Sequence, residues 1–247
     1  VMGRDIRYFH EVDSTQNAAV QLVEEGAREG TVCIAERQTE GRGRRGRLWH
    51  SPLGKGLWMS IILYPQIPLH FTPQLTLLTA VALCRAVRKE TGVNAGIKWP
   101  NDLLVDGKKL SGILMESSAE DERLRFCLAG VGISVNLAPE DYPPDLRDKA
   151  ISLKMAAGKQ IDREKLFVTF MEEFESLYEL YHEQGFAPIR IMWEALSVSL
   201  NRLIRVTTDE GELRVTAEKI DDMGALHVRL PDGSQKKLYS GEITTLQ

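Results

Sequence analysis

The chain has 247 residues, of which 43% are hydrophobic and 27% charged, a composition typical of one large or two unequal globular domains. The formal net charge is −4, so the surface as a whole lacks the excess positive charge typical of nucleic-acid-binding proteins. Positive charge must therefore act locally. Three cysteines (Cys33, Cys84 and Cys127) lie far apart in apolar runs, which predicts neither disulfides nor a zinc site. The sequence contains neither a signal peptide nor an apolar run of about 18 residues. It therefore supports neither export nor membrane insertion and predicts a cytoplasmic protein.

The first elements in chain order are a short strand and a helix. Residues 6–10 are typical of a strand, and Asp13-Ser14-Thr15 is a cluster of N-cap residues before a helix that ends near Gly26. Capping alone accounts for Ser14 and Thr15. The free N–H groups of a helix N-terminus can also bind an anion or a carbonyl group.

A basic glycine loop follows, and the rest of the chain is organised around it. Residues 41–47 contain four arginines and three glycines, between apolar runs at 31–35 and 57–63. The pattern predicts a strand, a loop and a strand. Glycines bring backbone N–H groups close to a ligand, and arginines match phosphate and carboxylate oxygens. A solvated or nucleic-acid-binding loop is the alternative, but both ends are pinned by strands, which favours a small phosphate-bearing ligand.

The middle of the chain predicts a helix and then a β-hairpin. Thr72-Pro73 is an N-cap and N1 pair for a helix that ends at Gly92. After the turn residues Asn101 and Asp102, two strands flank Asp106-Gly107, a strong hairpin signal. Taken singly, Asn101 and Asp102 are turn residues, and Lys109 is a solvated lysine beside the hairpin.

The segment 124–136 predicts a further strand, in which Gly130 and Gly132 alternate with apolar residues. Glycines on one face of a strand indicate close approach by a ligand or by backbone. Residues 137–150 carry three prolines and many charges. They are typical of a mobile loop that closes over a site.

The C-terminal third changes character. Residues 162–182 predict a helix, a second helix runs to about Leu196, and four or five short strands follow between 203 and 246. The short strands indicate a small barrel. We therefore expect an α/β (α+β) protein with a first domain over 1–198 and a second over 199–247.

Four segments in this order and at these separations resemble the biotin–protein ligases. They are Asp13-Ser14-Thr15-Gln16; Gln38 with the 41–47 loop and Trp49; Lys98-Trp99-Pro100-Asn101-Asp102 with Lys109-Leu110-Ser111-Gly112-Ile113-Leu114; and residues 130–136. The loop and the Lys-Trp-Pro-Asn-Asp segment are the specific parts. The other two are weak alone.

The resemblance implies a mixed-sheet catalytic domain similar to class II aminoacyl-tRNA synthetases, with an SH3-like C-terminal domain. It also implies a ligase that converts biotin and ATP to biotinyl-5′-AMP and pyrophosphate. The biotinyl group then passes to one lysine of a biotin carboxyl carrier domain, often in acetyl-CoA carboxylase. Whether the chain is a homodimer is left open.

The resemblance also assigns residues. Those matching the biotin-contacting positions are Ser14, Thr15, Gln16, Gln38, Arg42, Gly43, Arg44, Lys109, Gly112 and Gly132. Those matching the nucleotide side are Arg44, Arg47, Trp49, Lys98, Asn101, Asp102 and Asn136. Lys109 and Arg44 are the catalytic candidates, because joining a carboxylate to a phosphate requires fixed positive charge. Asp102 is the candidate ligand for Mg²⁺, since carboxylate oxygens suit a hard cation. Gly112 and Gly132 are expected to leave room for the flat biotin bicycle.

Two positions depart from the commonest family pattern. Gln16 and Ser134 stand where many members have asparagine, and Ser134 makes that strand's ligand contact less certain. The N-terminal winged helix of some members, which represses biotin genes, is not expected here, because only Val1 to Asp13 precede the Ser-Thr helix. We therefore expect no binding to operator DNA. The opening residues 2–6 resemble the junction after that helix domain and suggest a truncated regulator.

Two alternatives remain. A lipoate–protein ligase shares the fold and the two-step chemistry, but this arginine-glycine loop is not expected there. A non-enzymatic effector-binding or nucleic-acid-binding domain would need the loop, but not Lys109, Asn101 and Asp102 together.

Overall fold

The computed structural model describes residues 1–246, and within them two β-sheets are present. The larger has seven strands in the order β1-β2-β3-β7-β6-β5-β4. Its strands are β1 (Ile6–Val12), β2 (Val32–Gln38), β3 (Gly56–Leu63), β4 (Gly96–Lys98), β5 (Asp102–Val105), β6 (Lys108–Glu120) and β7 (Arg123–Ser134). β1 and β2 are parallel, whereas the other neighbours are antiparallel. The sheet is therefore mixed, as the family resemblance implied.

Helices cover this sheet on both faces. They are α1 (Thr15–Glu24), α2 (Thr72–Thr91), α3 (Leu153–Ala157), α4 (Arg163–Gln184) and α5 (Ala187–Leu196). Every residue of β3 is buried, because α2 and α4 bury one face of the sheet and α1 part of the other. The side chains of Met59, Ile61 and Leu63 join the main core under α2. Ile62, on the opposite face, packs under α1.

The alternation of β3 also directs a polar side chain to α1. Trp58, Ser60 and Ile62 share one face of the strand, since successive side chains point to opposite faces. Ile62 packs under the body of α1, and Ser60 contacts its first turn through Thr15. Trp58 continues the same face beneath the basic loop, 6.5 Å from the ring of Trp49.

Local signals in the sequence place several element ends correctly. Ser14 caps α1 by accepting a hydrogen bond from the backbone N–H of Asn17, and Asp162 caps α4 in the same way through Lys165. Asp106 and Gly107 both have positive φ, as the turn between β5 and β6 requires. Thr72, expected as the N-cap of α2, is instead its first helical residue, because a short 3₁₀ turn precedes it.

The second sheet contains the C-terminal strands in the order β11-β10-β9-β8-β12. They are β8 (Leu203–Thr208), β9 (Gly211–Ile220), β10 (Leu226–Arg229), β11 (Gln235–Leu238) and β12 (Glu242–Thr245), all antiparallel. The β9–β10 loop of this sheet is hydrogen-bonded to side chains in the first part of the chain. The buried indole N–H of Trp99 donates to the Gly224 carbonyl at 3.0 Å, and Gln74 donates to the Asp222 carbonyl at 2.6 Å.

Residues 137–150 form an irregular segment that returns to the hairpin. The backbone N–H of Lys109 donates to the Lys149 carbonyl at 2.8 Å, and the N–H of Ile151 donates to the Lys109 carbonyl at 3.0 Å. The segment is thus tied to β6 at the position of the candidate catalytic lysine. No helix in the described part of the chain is long and apolar enough to cross a membrane.

Candidate active site

A cavity of about 420 Å³ opens between the larger sheet, the basic loop, residues 142–150 and the edge of the second sheet. Its floor is one face of two neighbouring strands, β7 and β6. On β7 and β6 that face carries Gly130, Gly132, Gly112 and Leu114, all of which line the cavity. Gly132 pairs with Gly112 and Gly130 with Leu114, so the two strands bring three glycines side by side. In the sequence, this floor was indicated by Gly130 and Gly132, which lie two residues apart in one predicted strand.

One end of the cavity is a network of neutral hydrogen-bonding side chains at the start of α1. The backbone N–H of Thr15 donates to Gln38 Oε1 at 2.8 Å, and Gln38 Nε2 donates to Ser51 Oγ at 2.9 Å. The Thr15 hydroxyl lies 2.7 Å from Ser60 Oγ. The structure thus brings together Thr15 and Gln38, which the resemblance had grouped.

Gln16 extends this network across the floor. Its Oε1 accepts from Ser60 Oγ at 2.6 Å, and its Nε2 donates to the Leu114 carbonyl at 3.2 Å and to Glu116 Oε1 at 3.0 Å. The side chain lies directly on Gly130, where an added Cβ would approach Gln16 Cδ to 2.8 Å. Ser60 and Glu116 were not among the predicted site residues. The signal for Ser60 was a lone polar residue inside an otherwise apolar strand.

The guanidinium of Arg42 makes its contacts at the same end of the cavity. Its Nη2 lies 2.7 Å from Glu116 Oε1, while its Nη1 donates to Ser14 Oγ at 3.1 Å and to Asn17 Oδ1 at 2.7 Å. Glu116 therefore balances its charge, and this end of the cavity has little net charge of its own.

The remaining loop arginines contact the second sheet. Arg44 donates to the Gly241 carbonyl at 3.1 Å, Arg47 forms an ion pair with Glu242 at 2.8 Å, and Arg45 forms one with Asp209 at 3.4 Å. Burial lowers the pKa of the Arg44 guanidinium, and the negative charges of Asp102 and Glu242 oppose that shift. Nothing in the local sequence indicated that the loop would meet a segment about 200 residues later.

Trp49 lies against the glycine floor. Its indole Nε1 is buried with no hydrogen-bond partner among residues 1–246 and packs directly on Gly132, while a Cβ on Gly112 would lie 3.2 Å from its ring. The space above these two glycines, expected to remain free for a flat ligand, is therefore partly filled by indole. The glycines are required here for the close approach of Trp49.

The opposite end of the cavity is cationic. Lys109 Nζ lies 3.2 Å from Asp102 Oδ1, and Lys98 Nζ lies 3.5 Å from Asp102 Oδ2. The Lys109 ammonium is also 5.2 Å from the centre of the Trp49 ring, within range of a cation–π contact. Asp102 is buried, so one carboxylate holds two ammonium groups at the cavity wall.

Two predicted nucleotide-side asparagines make backbone contacts instead. Asn101 lines the cavity, but its Nδ2 donates to the Ile113 carbonyl at 2.8 Å. Asn136 is not among the lining residues. Its Oδ1 accepts from the Ile161 N–H and its Nδ2 donates to the Ile161 carbonyl, both at 2.9 Å. Asn136 therefore holds the segment before α4, and its expected contact with the nucleotide stays a prediction.

The donor set around Asp102 bears on the predicted magnesium ion. In the described part of the chain, no group of three or more His, Cys, Asp or Glu side chains could hold a metal. Buried Asp102 Oδ1 also lacks a hydrogen bond of good geometry among residues 1–246, although Lys109 is near. Mg²⁺ is often held by one or two carboxylates together with substrate phosphates and water. These residues fit a cation that arrives with phosphate oxygens, and they do not form a metal centre on their own.

Comparison with known proteins gives two family matches. The sequence profile of the biotin/lipoate A/B protein ligase family matches residues 8–134, and that of the biotin protein ligase C-terminal domain matches residues 199–244. The first covers the loop and the cavity floor, and the second covers all five strands of the second sheet up to Thr244.

Individual relatives agree. The chain is 44% identical to the bifunctional ligase/repressor BirA of Bacillus subtilis over 98% of its own length and 74% of the relative. It is 34% identical to a biotin–[acetyl-CoA-carboxylase] ligase of Paracoccus denitrificans over 90% of this chain and 93% of the relative. Among solved structures, it resembles the biotin protein ligase of Aquifex aeolicus in complex with biotin and ATP, with a TM-score of 0.84, 28% identity and 99% of each chain covered.

Proposed function

Because the chain belongs to the biotin/lipoate A/B protein ligase family, we propose that it is an ATP-dependent biotin–protein ligase of the biotin–[acetyl-CoA-carboxylase] type. It converts biotin and ATP to biotinyl-5′-AMP and pyrophosphate. It then transfers the biotinyl group to a lysine of a biotin carboxyl carrier domain.

One observation carries this proposal: the two ends of the cavity have opposite character. A neutral, hydrogen-bonding end is built around Thr15 and Gln16. The other end presents Lys98 and Lys109 beside Asp102. Biotin has the same polarity, with an uncharged ureido ring at one end and a carboxylate at the other. The reacting carboxylate then meets the ammonium groups.

In the first step a biotin carboxylate oxygen attacks the α-phosphorus of ATP. A C–O–P anhydride bond forms, the bond to the bridging oxygen breaks, and pyrophosphate leaves with that electron pair. Two anionic groups approach each other, and fixed cations near the reacting oxygens lower the barrier. Lys109 and Arg44, which both line the cavity, supply this charge, with Lys98 and Arg47 behind them.

In the second step the neutral amine of the carrier lysine attacks the acyl carbon, an amide forms and AMP leaves. The mixed anhydride must be kept from water until then. We assign this shielding to the 41–47 loop and Trp49, because the loop forms one wall of the cavity and Trp49 covers its floor. Residues 137–150 form a further wall and are proposed to close over the nucleotide.

The proposal includes Mg²⁺ only as an ion that is bound to the phosphates of ATP. When bound, it would neutralise phosphate charge, and Asp102 is the candidate carboxylate that would hold it. The two lysines on Asp102 supply charge to the same region directly.

Several finer assignments also belong to the proposal. The first domain spans residues 1–198 and is similar to class II aminoacyl-tRNA synthetases, and the second spans 199–247 and is SH3-like. The protein acts in the cytoplasm, where carrier and ATP are present. Sedimentation during turnover would distinguish a monomer from a homodimer.

Pyrophosphate release in the presence of ATP and Mg²⁺ tests the function. Biotin should stimulate release, and lipoate, the substrate class that shares the family, should not. Labelling of a carrier domain by biotin should require its acceptor lysine. Stimulation by lipoate alone would favour a lipoate ligase. Biotin binding without pyrophosphate release would favour a non-enzymatic effector domain.

A further inference from the structure

Four side chains form a continuous hydrogen-bonded chain along the neutral end of the cavity. It runs from Glu116 through Gln16 and Ser60 to Thr15, with separations of 3.0, 2.6 and 2.7 Å between the bonded atoms. Thr15 and Gln16 line the cavity, whereas Ser60 lies beneath them in β3.

The chemistry of these groups fixes the direction of every bond. The carboxylate of Glu116 and the carbonyl of Leu114 can only accept, so the group of Gln16 that meets both must be its NH₂. The Gln16 oxygen then faces Ser60, whose single hydroxyl proton must be donated to it.

The direction continues to Thr15. Because the only Ser60 proton is used, the hydrogen between Ser60 Oγ and Thr15 Oγ1 must come from Thr15. The Thr15 hydroxyl therefore has no proton left for a ligand. Its oxygen keeps a lone pair, and it presents an acceptor to the cavity.

Burial preserves the directions of these hydrogen bonds. Ser60 is 0% exposed, Thr15 3% and Gln16 4%. Water therefore has little access to offer substitute donors or acceptors. Gln16 is packed on Gly130, which restricts its carboxamide from swinging away.

We propose that Glu116 and Ser60 are positioning residues that fix Thr15 as a hydrogen-bond acceptor for an N–H group of the ligand. This inference rests on the proposed function for the identity of that ligand, since the ureido ring of biotin carries such N–H donors. Glu116 acts on Thr15 only through Gln16 and Ser60.

The test is a double-mutant cycle on biotin affinity, measured by calorimetry without ATP. Ser60→Ala breaks the link to Thr15 and should weaken biotin binding by roughly tenfold, the effect of one buried hydrogen bond. Glu116→Ala removes an acceptor that a glutamine would keep, and it should weaken binding less, by about threefold, because the Leu114 carbonyl still accepts from Gln16. Because Glu116 reaches Thr15 only through Gln16 and Ser60, the double variant should bind biotin little more weakly than Ser60→Ala alone. Glu120→Ala, on the exposed end of the same strand, is the matched control and should bind like wild type.

A second readout separates positioning from general damage. KM for biotin should rise in both single variants while kcat changes by less than about threefold, since Lys98, Lys109 and Arg44 lie outside the chain of bonds. Ser60→Cys keeps a donor, although a weaker one on a larger atom, and should fall between wild type and Ser60→Ala. It also serves as the test if Ser60→Ala does not fold.

The failures are distinguishable. If wild type neither binds biotin nor releases pyrophosphate with it, the proposed function fails. If wild type does both, the inference is overturned by unchanged biotin affinity in the single variants. It is equally overturned by a loss in the double variant equal to the product of the two single losses, which would mean that Ser60 and Glu116 act independently.

Discussion

The Nζ atom of Lys109 lies 3.2 Å from Oδ1 of Asp102, and the same carboxylate holds Lys98 through its other oxygen. Lys109 is the second residue of β6 and follows the Asp106-Gly107 turn, where a lysine side chain would ordinarily be solvated. Asp102 and Trp49 instead hold its ammonium at the cavity wall. A buried carboxylate with two cations is an arrangement that favours a further anion beside it, because positive charge exceeds negative charge by one.

Replacing Lys109 should impair the chemical step. Lys109→Ala removes the ammonium expected beside the biotin carboxylate and α-phosphate, and it should slow biotinyl-AMP formation by about 10²–10³-fold, the cost of one charge-stabilising donor. Single-turnover pyrophosphate release measures this. Lys108→Ala is the control, because adjacent residues of a strand face opposite sides. An unchanged single-turnover rate in Lys109→Ala would remove the residue from the mechanism.

Replacing Arg44 should release the intermediate. Arg44 donates to the Gly241 carbonyl and lines the cavity, so Arg44→Gly loosens the loop and removes one cation from the adenylate. Dissociation of biotinyl-AMP should accelerate about 10- to 100-fold, as expected for a charge-assisted hydrogen bond, and bystander proteins should become biotinylated at lysines. Arg45→Ala is the control, because its ion pair with Asp209 is solvent-exposed and such pairs contribute little. Retention of the adenylate equal to wild type would show that the loop is not its clamp.

Gly224 should be critical to the attachment of the second sheet. Its φ is +80°, and an added Cβ would lie 2.7 Å from Leu77 Cδ1. Gly224→Ala therefore adds a clash to the backbone strain, and it should lower the free energy of unfolding by about 2–4 kcal/mol. Gly233 has φ +85° with nothing within 4 Å of its Cβ position, so Gly233→Ala should cost only about 1 kcal/mol. Chemical denaturation of both variants measures the difference, and equal losses would contradict the packing argument.

The chain should not bind operator DNA, with or without biotinyl-AMP. All four arginines of the basic loop already have partners: Glu116, Gly241, Asp209 and Glu242. With a formal net charge of −4, we expect no binding tighter than about 1 μM at 0.15 M salt. Fluorescence anisotropy against specific and scrambled duplexes tests this. Sequence-specific binding would reopen the nucleic-acid-binding alternative.

Local patterns were enough to predict most of the secondary structure. An apolar run identified β3, glycines alternating with apolar residues identified β7, capping residues identified the starts of α1 and α4, and Asp106-Gly107 identified the hairpin. These signals act over a few residues, so the sequence carries them without reference to the rest of the fold. The 41–47 loop likewise indicated a phosphate-bearing ligand, and together with the Lys98–Asp102 segment it indicated the family by resemblance.

Contacts between distant segments were not predictable in this way. Asn136 was expected at the nucleotide, and its amide group binds the backbone of Ile161. Trp49 was expected near the adenylate, but it also covers Gly132. In both cases the residue type was compatible with either use, and only the position of a distant partner decided between them.

The sequence by itself determined the strands, the helices, the family and the place of the basic loop, because these depend on periodicity, caps and short motifs. The tertiary structure alone decided how charge and hydrogen bonds are distributed in the cavity. It paired Lys98 and Lys109 with one carboxylate, tied the loop arginines to the second sheet, and joined Glu116 to Thr15 through Ser60. The physical reason is that ion pairs and hydrogen bonds depend on distances of about 3 Å. Such distances between residues far apart in the chain arise only when the sheets have formed and packed.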